Sequence, residues 1–278
     1  METNQVTRYQ PPVDKLLTYG EAHRSSPEDW PDYRQLGIGS EHIPELIHMA
    51  TDEELNLADS ESLEVWAPLH AWRALGQLRA EAAIEPLLRL REKLEDDEWL
   101  SQDLPLVFSL IGPAALATLG AYLADDLYDE WARITAASSI EKIGNRWPEA
   151  RAECIALLMQ QLELFVENDP ILNAFLISYL VDLHATEAAP LMKRAFEANS
   201  VDLMVIGDWD DVQVELGFIS PEQIPQRTSD FLPETPFSST TQKTSTFTDI
   251  SVSHQQKNKR AKVKNKMAKQ SRKKNRKR

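Results

Sequence analysis

The chain has 278 residues, 42% of them hydrophobic, which is enough to bury a core without disulfides or metal ions. Its single cysteine, Cys154, excludes an internal disulfide and a cysteine zinc cluster, and this usage fits a reducing compartment. The formal net charge is −14, yet residues 257–278 hold 13 of the 30 Lys and Arg residues and no acid, so the remainder carries 17 basic against 44 acidic residues, about −27.

The N-terminal part of the chain predicts short helices. We expect residues 1–11 to be disordered and residues 13–19 to form a short helix. The Ser26-Pro27 pair, followed by two acids, predicts a helix that begins at Pro27 and runs through Trp30 and Leu36. Further predicted starts are Ser40, which caps the next helix, and a capping box at 51–54, before a longer helix over 63–75.

A repeating two-helix unit follows. Turn glycines at Gly76, Gly112 and Gly144 are separated by 36 and 32 residues, and His184 stands 40 residues further on in a degenerate fourth turn. Amphipathic segments flank each turn, and periods of this size are typical of stacked helical pairs. The sequence therefore predicts an all-α fold, an irregular α-solenoid over residues 12–219. The predicted helices cover 80–94, 99–111, 113–123, 127–143, 148–166, 170–183, 186–198 and 208–216.

The composition changes after the repeats. Residues 220–256 are rich in Pro, Ser, Thr and Gln without periodic apolar positions, which predicts a disordered linker, and residues 257–278 form a disordered basic tail. The N-terminus has no apolar signal segment, and the longest apolar stretch, 171–183, is interrupted by polar residues. We therefore expect a cytoplasmic protein without a transmembrane segment.

The segment 74–87, with Ala-Leu-Gly followed by Glu-Ala-Ala-Ile, resembles HEAT-type repeats of the phycobilisome-lyase kind, and the segment 131–144 resembles their second half. The run 32–44 is similar to the start of an uncharacterised group of bacterial HEAT-like proteins. The resemblance implies a packing role for Arg133, paired with Asp125 or Asp126. It does not imply lyase activity, because function lies in particular sites and not in the repeat.

Chemical motifs are few. No two histidines have metal-ligand spacing, and no phosphate-binding or nucleophile-elbow motif occurs. The acidic cluster at 208–215 is typical of a helix N-terminus, so we expect neither a catalytic residue nor a cofactor or metal ion. His70 and Cys154 are expected in the core, and so are Trp99, Trp131 and Trp147.

These observations favour a noncatalytic protein-interaction scaffold. Its inner helices would line a concave face, on which the acids Asp103, Asp129, Glu130 and Glu141 attract a basic protein partner. The alternative is an RNA- or ribosome-associated factor tethered by its tail, and a chromophore lyase-like enzyme is a third hypothesis. The tail cations that would contact nucleic acid or another anion are Lys257, Lys259, Arg260, Lys262, Lys264, Lys266, Lys269, Arg272, Lys273, Lys274, Arg276, Lys277 and Arg278.

Overall fold

The computed structural model describes residues 8–59, 61–94 and 98–223, and within them it contains α-helices and 3₁₀ turns but no strand. The predicted basic tail and most of the predicted linker lie outside these residues. Contacts divide the chain into two units, one ending at Val201 and one beginning at Asp202. The helices are α1 (Ile43–Ala50), α2 (Glu53–Asn56), α3 (Ala67–Gln77), α4 (Ile84–Lys93), α5 (Glu98–Ile111), α6 (Leu116–Ala124), α7 (Glu130–Arg146), α8 (Arg151–Leu162), α9 (Pro170–Asp182), α10 (Ala189–Glu197), α11 (Leu203–Ile206) and α12 (Trp209–Glu215).

The first unit contains two rows of helices. In the first row, α1 packs on α3, α3 on α5, α5 on α7 and α7 on α9. In the second row, α6 packs on α8 and α8 on α10, and the rows meet where α4, α6 and α8 contact the following helix of the first row. The first row therefore has neighbours on several sides, which explains why every residue of α9 from Leu172 to Val181 is buried.

Each second-row helix begins in the same way. A 3₁₀ turn precedes it, and the third residue of that turn is an alanine at most 5% exposed: Ala83, Ala115, Ala150 or Ala188. The alanine amide donates to the carbonyl three residues earlier at 2.9–3.0 Å. The intervals between these alanines are 32, 35 and 38 residues. The repeat is thus marked by a tight helix start with a small buried side chain.

The predicted series of turn glycines is wrong at two of its three positions. Gly76 lies within α3 and Gly144 within α7, where an added Cβ would meet Val107 backbone atoms at 3.3 Å and a Leu183 methyl carbon at 2.8 Å, respectively. These glycines allow helices to approach closely. Gly112 alone is a turn residue, with φ of +92° under the Trp147 ring.

The turns after α3 and α9 contain left-handed residues that are not glycine. Arg79 has φ of +52° and His184 of +51°. In each turn the following residue donates to a carbonyl five positions earlier, Ala80 to Leu75 at 3.0 Å and Ala185 to Leu180 at 2.9 Å. This is the Schellman arrangement, which satisfies carbonyls at the helix end. His184 therefore corresponds to Arg79 and not to the predicted glycine position.

Two N-terminal predictions also require correction. The expected helix from Pro27 to Leu36 is instead a pair of 3₁₀ turns, Pro27–Asp29 and Tyr33–Leu36. Trp30 between them is extended because it precedes Pro31, and a residue before proline is disfavoured in the helical region. Helix α2 is capped by Asp52, which accepts from the amides of residues 54 and 55 at 3.0 and 3.3 Å. The expected cap, Thr51, donates its hydroxyl back to the carbonyl of residue 47.

The predicted core position is confirmed for Cys154, whereas Trp99, Trp131 and Trp147 are only half-buried. Cys154 is fully buried, and burial raises the pKa of its thiol to about 12. Trp131 packs edge-on against Phe175 with 5.9 Å between ring centroids, and Trp147 donates its indole N–H to the Ser109 carbonyl at 2.8 Å. The larger aromatic side chains therefore join neighbouring helices.

The second unit is described from Asp202 to Gln223. Its helix α12 agrees with the predicted helix over 208–216, while α11 was not predicted. Asp208 and Asp211 form a reciprocal capping box at the start of α12. The acidic cluster is explained by this cap, and no group of three or more potential metal ligands occurs among residues 8–59, 61–94 and 98–223.

Within the same described ranges, no single helix combines the length and apolar composition needed to cross a membrane. The segments 99–111 and 113–124 reach those values only as a pair bent by 114°.

Candidate interaction surface

Asp103 is part of a buried ion pair and not of an exposed face. The Nε of Arg73, on α3, donates to its Oδ2 at 2.7 Å, and the two residues are only 1% and 2% exposed. Arg73 also donates to the His23 carbonyl at 2.9 Å and lies 4.7 Å from the centre of the Trp30 ring. The prediction that Asp103 is an exposed acid is therefore wrong, since α5 turns this residue towards the cation on α3.

His70 confirms the prediction of a hydrogen-bonded core histidine. Its Nε2 lies 2.9 Å from the Gly20 carbonyl, which can only accept, so Nε2 carries the proton. Its Nδ1 then accepts from the Tyr33 hydroxyl at 2.7 Å. Burial lowers the pKa of His70, so the ring is neutral at pH 7 and holds this single tautomer.

Glu141 is also buried, at 6% exposure, so the prediction of a second exposed acid on the inner helices is wrong as well. One carboxylate oxygen accepts from Asn145 at 2.6 Å and the other from Lys142 at 3.4 Å. Burial is the main cause that raises its pKa, and the nearby charge of Asp182 adds to this effect. These contacts within the chain account for Glu141 without a protein partner.

Asp129 and Glu130 are exposed, as predicted. Asp129 also caps α7, because its carboxylate accepts from the amides of Trp131 and Ala132 at 2.9 and 3.1 Å. Glu130 occupies the first turn of the same helix, where a negative charge is favoured. These two acids remain available to a partner, although one of them has a structural role that the sequence analysis did not assign.

Arg133 does not form the ion pair that the resemblance implied. Its Nε donates to the Leu123 carbonyl at 2.8 Å, and in the described part of the chain it reaches neither Asp125 nor Asp126 as a salt bridge. Burial lowers its pKa, while the carboxylates of Asp126, Glu130 and Asp125 oppose this shift from a distance. The packing role expected for Arg133 is thus served through a carbonyl at the end of α6.

The acidic connections are the two segments 125–130 and 163–169, each of which leads from the second row to the first. None of their exposed carboxylates belongs to an ion pair among the described residues: Asp126, Asp129, Glu130, Glu163, Glu167 and Asp169. Apolar side chains are exposed beside them, namely Leu127 at 89% and Val166 at 72%. Exposed carboxylates that form no ion pair within the described residues, next to exposed aliphatic groups, fit a basic partner with apolar side chains.

Two hollows on the surface have other linings. The larger, about 700 Å³, lies beside α1 and α2, and Arg8 bridges its carboxylates Asp52 and Glu54 at 3.2 and 2.5 Å. The smaller, about 260 Å³, lies between α4 and α6 next to the stacked rings of Tyr122 and Tyr128. The sequence carries no signal for either hollow, because each is lined by residues from separate segments of the chain.

Comparisons with protein-family models, with curated proteins and with solved structures gave no match. The geometry of the described residues therefore defines the class of protein: a helical fold without strands, whose first unit contains two rows of packed helices and exposed acidic connections. The tail cations 257–278 lie outside the described residues.

Proposed function

We propose that this chain is a HEAT-like α-solenoid that acts as a noncatalytic interaction scaffold and binds a basic protein through its acidic connections. The successive packing of helices within each row supports a repeat architecture, in which each unit contacts mainly its neighbours and leaves an extended surface for binding. The observation that carries the proposal is the set of exposed carboxylates in segments 125–130 and 163–169, which form no ion pair with any residue that the structure describes. Electrostatic attraction of this kind speeds association and selects partners of opposite charge.

The test compares two matched variants of the full chain. Asp129→Asn with Glu130→Gln removes two charges from one acidic connection, and asparagine preserves the helix cap. Glu149→Gln with Glu153→Gln removes two exposed charges from the start of α8 in the second row. In affinity purification, we expect the first variant to recover a basic protein about two- to tenfold less well, and the second to behave like the wild type. Recovery of acidic or neutral partners alone would contradict the proposal.

A second candidate function is association with RNA or the ribosome through the basic tail, favoured by the 13 cations between Lys257 and Arg278. Phosphate contacts of this kind release counterions, so binding falls steeply with salt. The tail contains no aromatic residue that would stack on a base, which favours contacts without sequence specificity. The purification is therefore repeated with nuclease treatment and with a chain that ends at residue 256. Salt-insensitive RNA binding by the shortened chain would exclude this function.

A further inference from the structure

Residues 20–32, here called the strap, lie across the first row of helices without forming an α-helix. Three backbone carbonyls of the strap region accept hydrogen bonds from one face of α3. Gly20 accepts from His70 at 2.9 Å, His23 from Arg73 at 2.9 Å, and Pro31 from Gln77 at 2.8 Å. The three donors are spaced by three and four residues, so they share one side of the helix. Side chains of α3 thus hold both ends of the strap by hydrogen bonds to its backbone carbonyls.

Between these ends the strap extends over the next two helices. The guanidinium of Arg24 lies 4.9 Å from the centre of the Trp99 ring in α5, and the turn Pro27–Asp29 packs against the same helix. Glu28 then pairs with Arg146 at the end of α7, with 2.9 Å between Oε1 and Nη1. This contact joins exposed side chains, whereas the donors on α3 beneath the ends are largely buried.

Trp30 is the side chain that anchors the strap. It is 6% exposed, its ring lies 4.7 Å from the Arg73 guanidinium, and its indole donates to the Ser25 carbonyl at 3.2 Å. A buried indole against a guanidinium is a favourable contact that recurs at binding interfaces. Most other side chains of the strap are exposed or half-buried; Ala22 is also buried. The strap is therefore attached as a bound peptide is, by carbonyls, one aromatic anchor and one carboxylate.

We propose that the strap is an intramolecular ligand of a peptide-binding face formed by α3, α5 and α7. An extended segment of another protein that offers an aromatic ring beside a carboxylate replaces it there. His70, Arg73 and Gln77 bind the backbone of either segment, the Arg73 guanidinium receives the ring, and Arg146 receives the carboxylate. This face is distinct from the acidic connections, so the inference goes beyond the proposed function and does not depend on it.

The first test uses charge reversal at the exposed contact in the full chain. Arg146→Glu places two like charges together and releases the middle of the strap, and Glu28→Arg combined with Arg146→Glu restores the pair. The readout is the rate of limited trypsin cleavage after Arg24, identified by mass spectrometry. We expect about a two- to fivefold faster cleavage in the single variant and a return to the wild-type rate in the double variant. The matched control is Arg89→Glu, which disrupts the exposed Glu85–Arg89 pair on α4 and should leave the rate unchanged. Equal rates in the wild type and the three variants would overturn the proposal.

The second test asks whether the face binds the segment as a separate molecule. A fluorescent peptide with the sequence of residues 19–34 is titrated into the wild-type chain and into the Trp30→Ala chain, whose fold is checked by circular dichroism. The wild-type strap competes from within the chain at a high effective concentration, so we expect at least tenfold tighter binding to the Trp30→Ala chain. A peptide carrying the same Trp30→Ala change should not bind. If the intact peptide binds both chains equally or neither chain, the strap is not a replaceable ligand. If Trp30→Ala unfolds the chain, Glu28→Ala takes its place in the titration, because it weakens the strap and leaves Arg146 on the face.

Discussion

Replacement of Asp103 by asparagine tests the energetic role of the buried ion pair. The variant keeps the size of the side chain but removes the charge that neutralises Arg73, which is 1% exposed. Loss of one partner of a buried pair costs about 3–5 kcal/mol, and we expect about 3 kcal/mol here because the His23 carbonyl and the Trp30 ring still contact the guanidinium. The free energy of unfolding is measured by urea denaturation with far-ultraviolet circular dichroism.

The double variant Arg73→Met with Asp103→Leu separates the cost of an unpaired charge from the worth of the pair. Apolar replacement of both partners is often neutral or stabilising, so we expect the double variant to lose less than half of what Asp103→Asn loses. The reasoning is refuted if Asp103→Asn costs less than about 0.5 kcal/mol, the usual range of a surface substitution. It is refuted equally if the double variant is the less stable of the two.

Three further perturbations follow from the packing and the pKa shifts. Gly144→Ala would place a Cβ 2.8 Å from a Leu183 methyl carbon. The overpacking should exceed the gain in helix propensity and lower the free energy of unfolding by about 1 kcal/mol, measured by thermal unfolding. A higher melting temperature would contradict this. His184→Gly relieves a left-handed φ of +51° and should raise stability by about 0.5 kcal/mol in urea, whereas a loss would argue against strain there. Burial raises the folded pKa of Glu141 above its ordinary 4.5, so its contribution to stability falls as pH rises from 4.5 through the folded pKa. Glu141→Gln should therefore be more stable than the wild type at pH 7, and the difference should shrink below pH 4.5; a difference independent of pH would exclude this cause.

The sequence predicted the helical class and most helix positions because amphipathic spacing and caps such as Asp169 before Pro170 are local signals. It assigned the wrong role to Gly76 and Gly144, since a glycine in a turn and a glycine at a helix crossing look alike without the neighbouring helix. It also treated Asp103 and Glu141 as exposed. Asp103 is buried because it pairs with Arg73 on a separate helix, and Glu141 is buried because other helices cover its face of α7. The spacing of apolar residues in the sequence predicts neither contact.

The strap could not be predicted at all. Its backbone carbonyls carry no sequence signal, and the residues that bind them lie between 46 and 50 positions away along the chain. For its second half the sequence predicted a helix that begins at Pro27, which the structure does not contain because Trp30 is extended before Pro31. A contact such as Glu28 with Arg146 becomes visible only when the first row of helices brings the end of α7 beside it.

The order of synthesis determines when the strap can dock. It leaves the ribosome before the helices that it contacts, and its Glu28 pairs with Arg146, 118 residues later. Helices and their neighbouring pairs form from contacts that are close in sequence, whereas the strap requires loop closure over a long segment. The first row should therefore assemble before the strap docks, and during that interval the growing chain exposes the Trp30 side chain and the face that receives it. A chaperone or a partner that is present during translation would meet this face before the protein's own segment covers it.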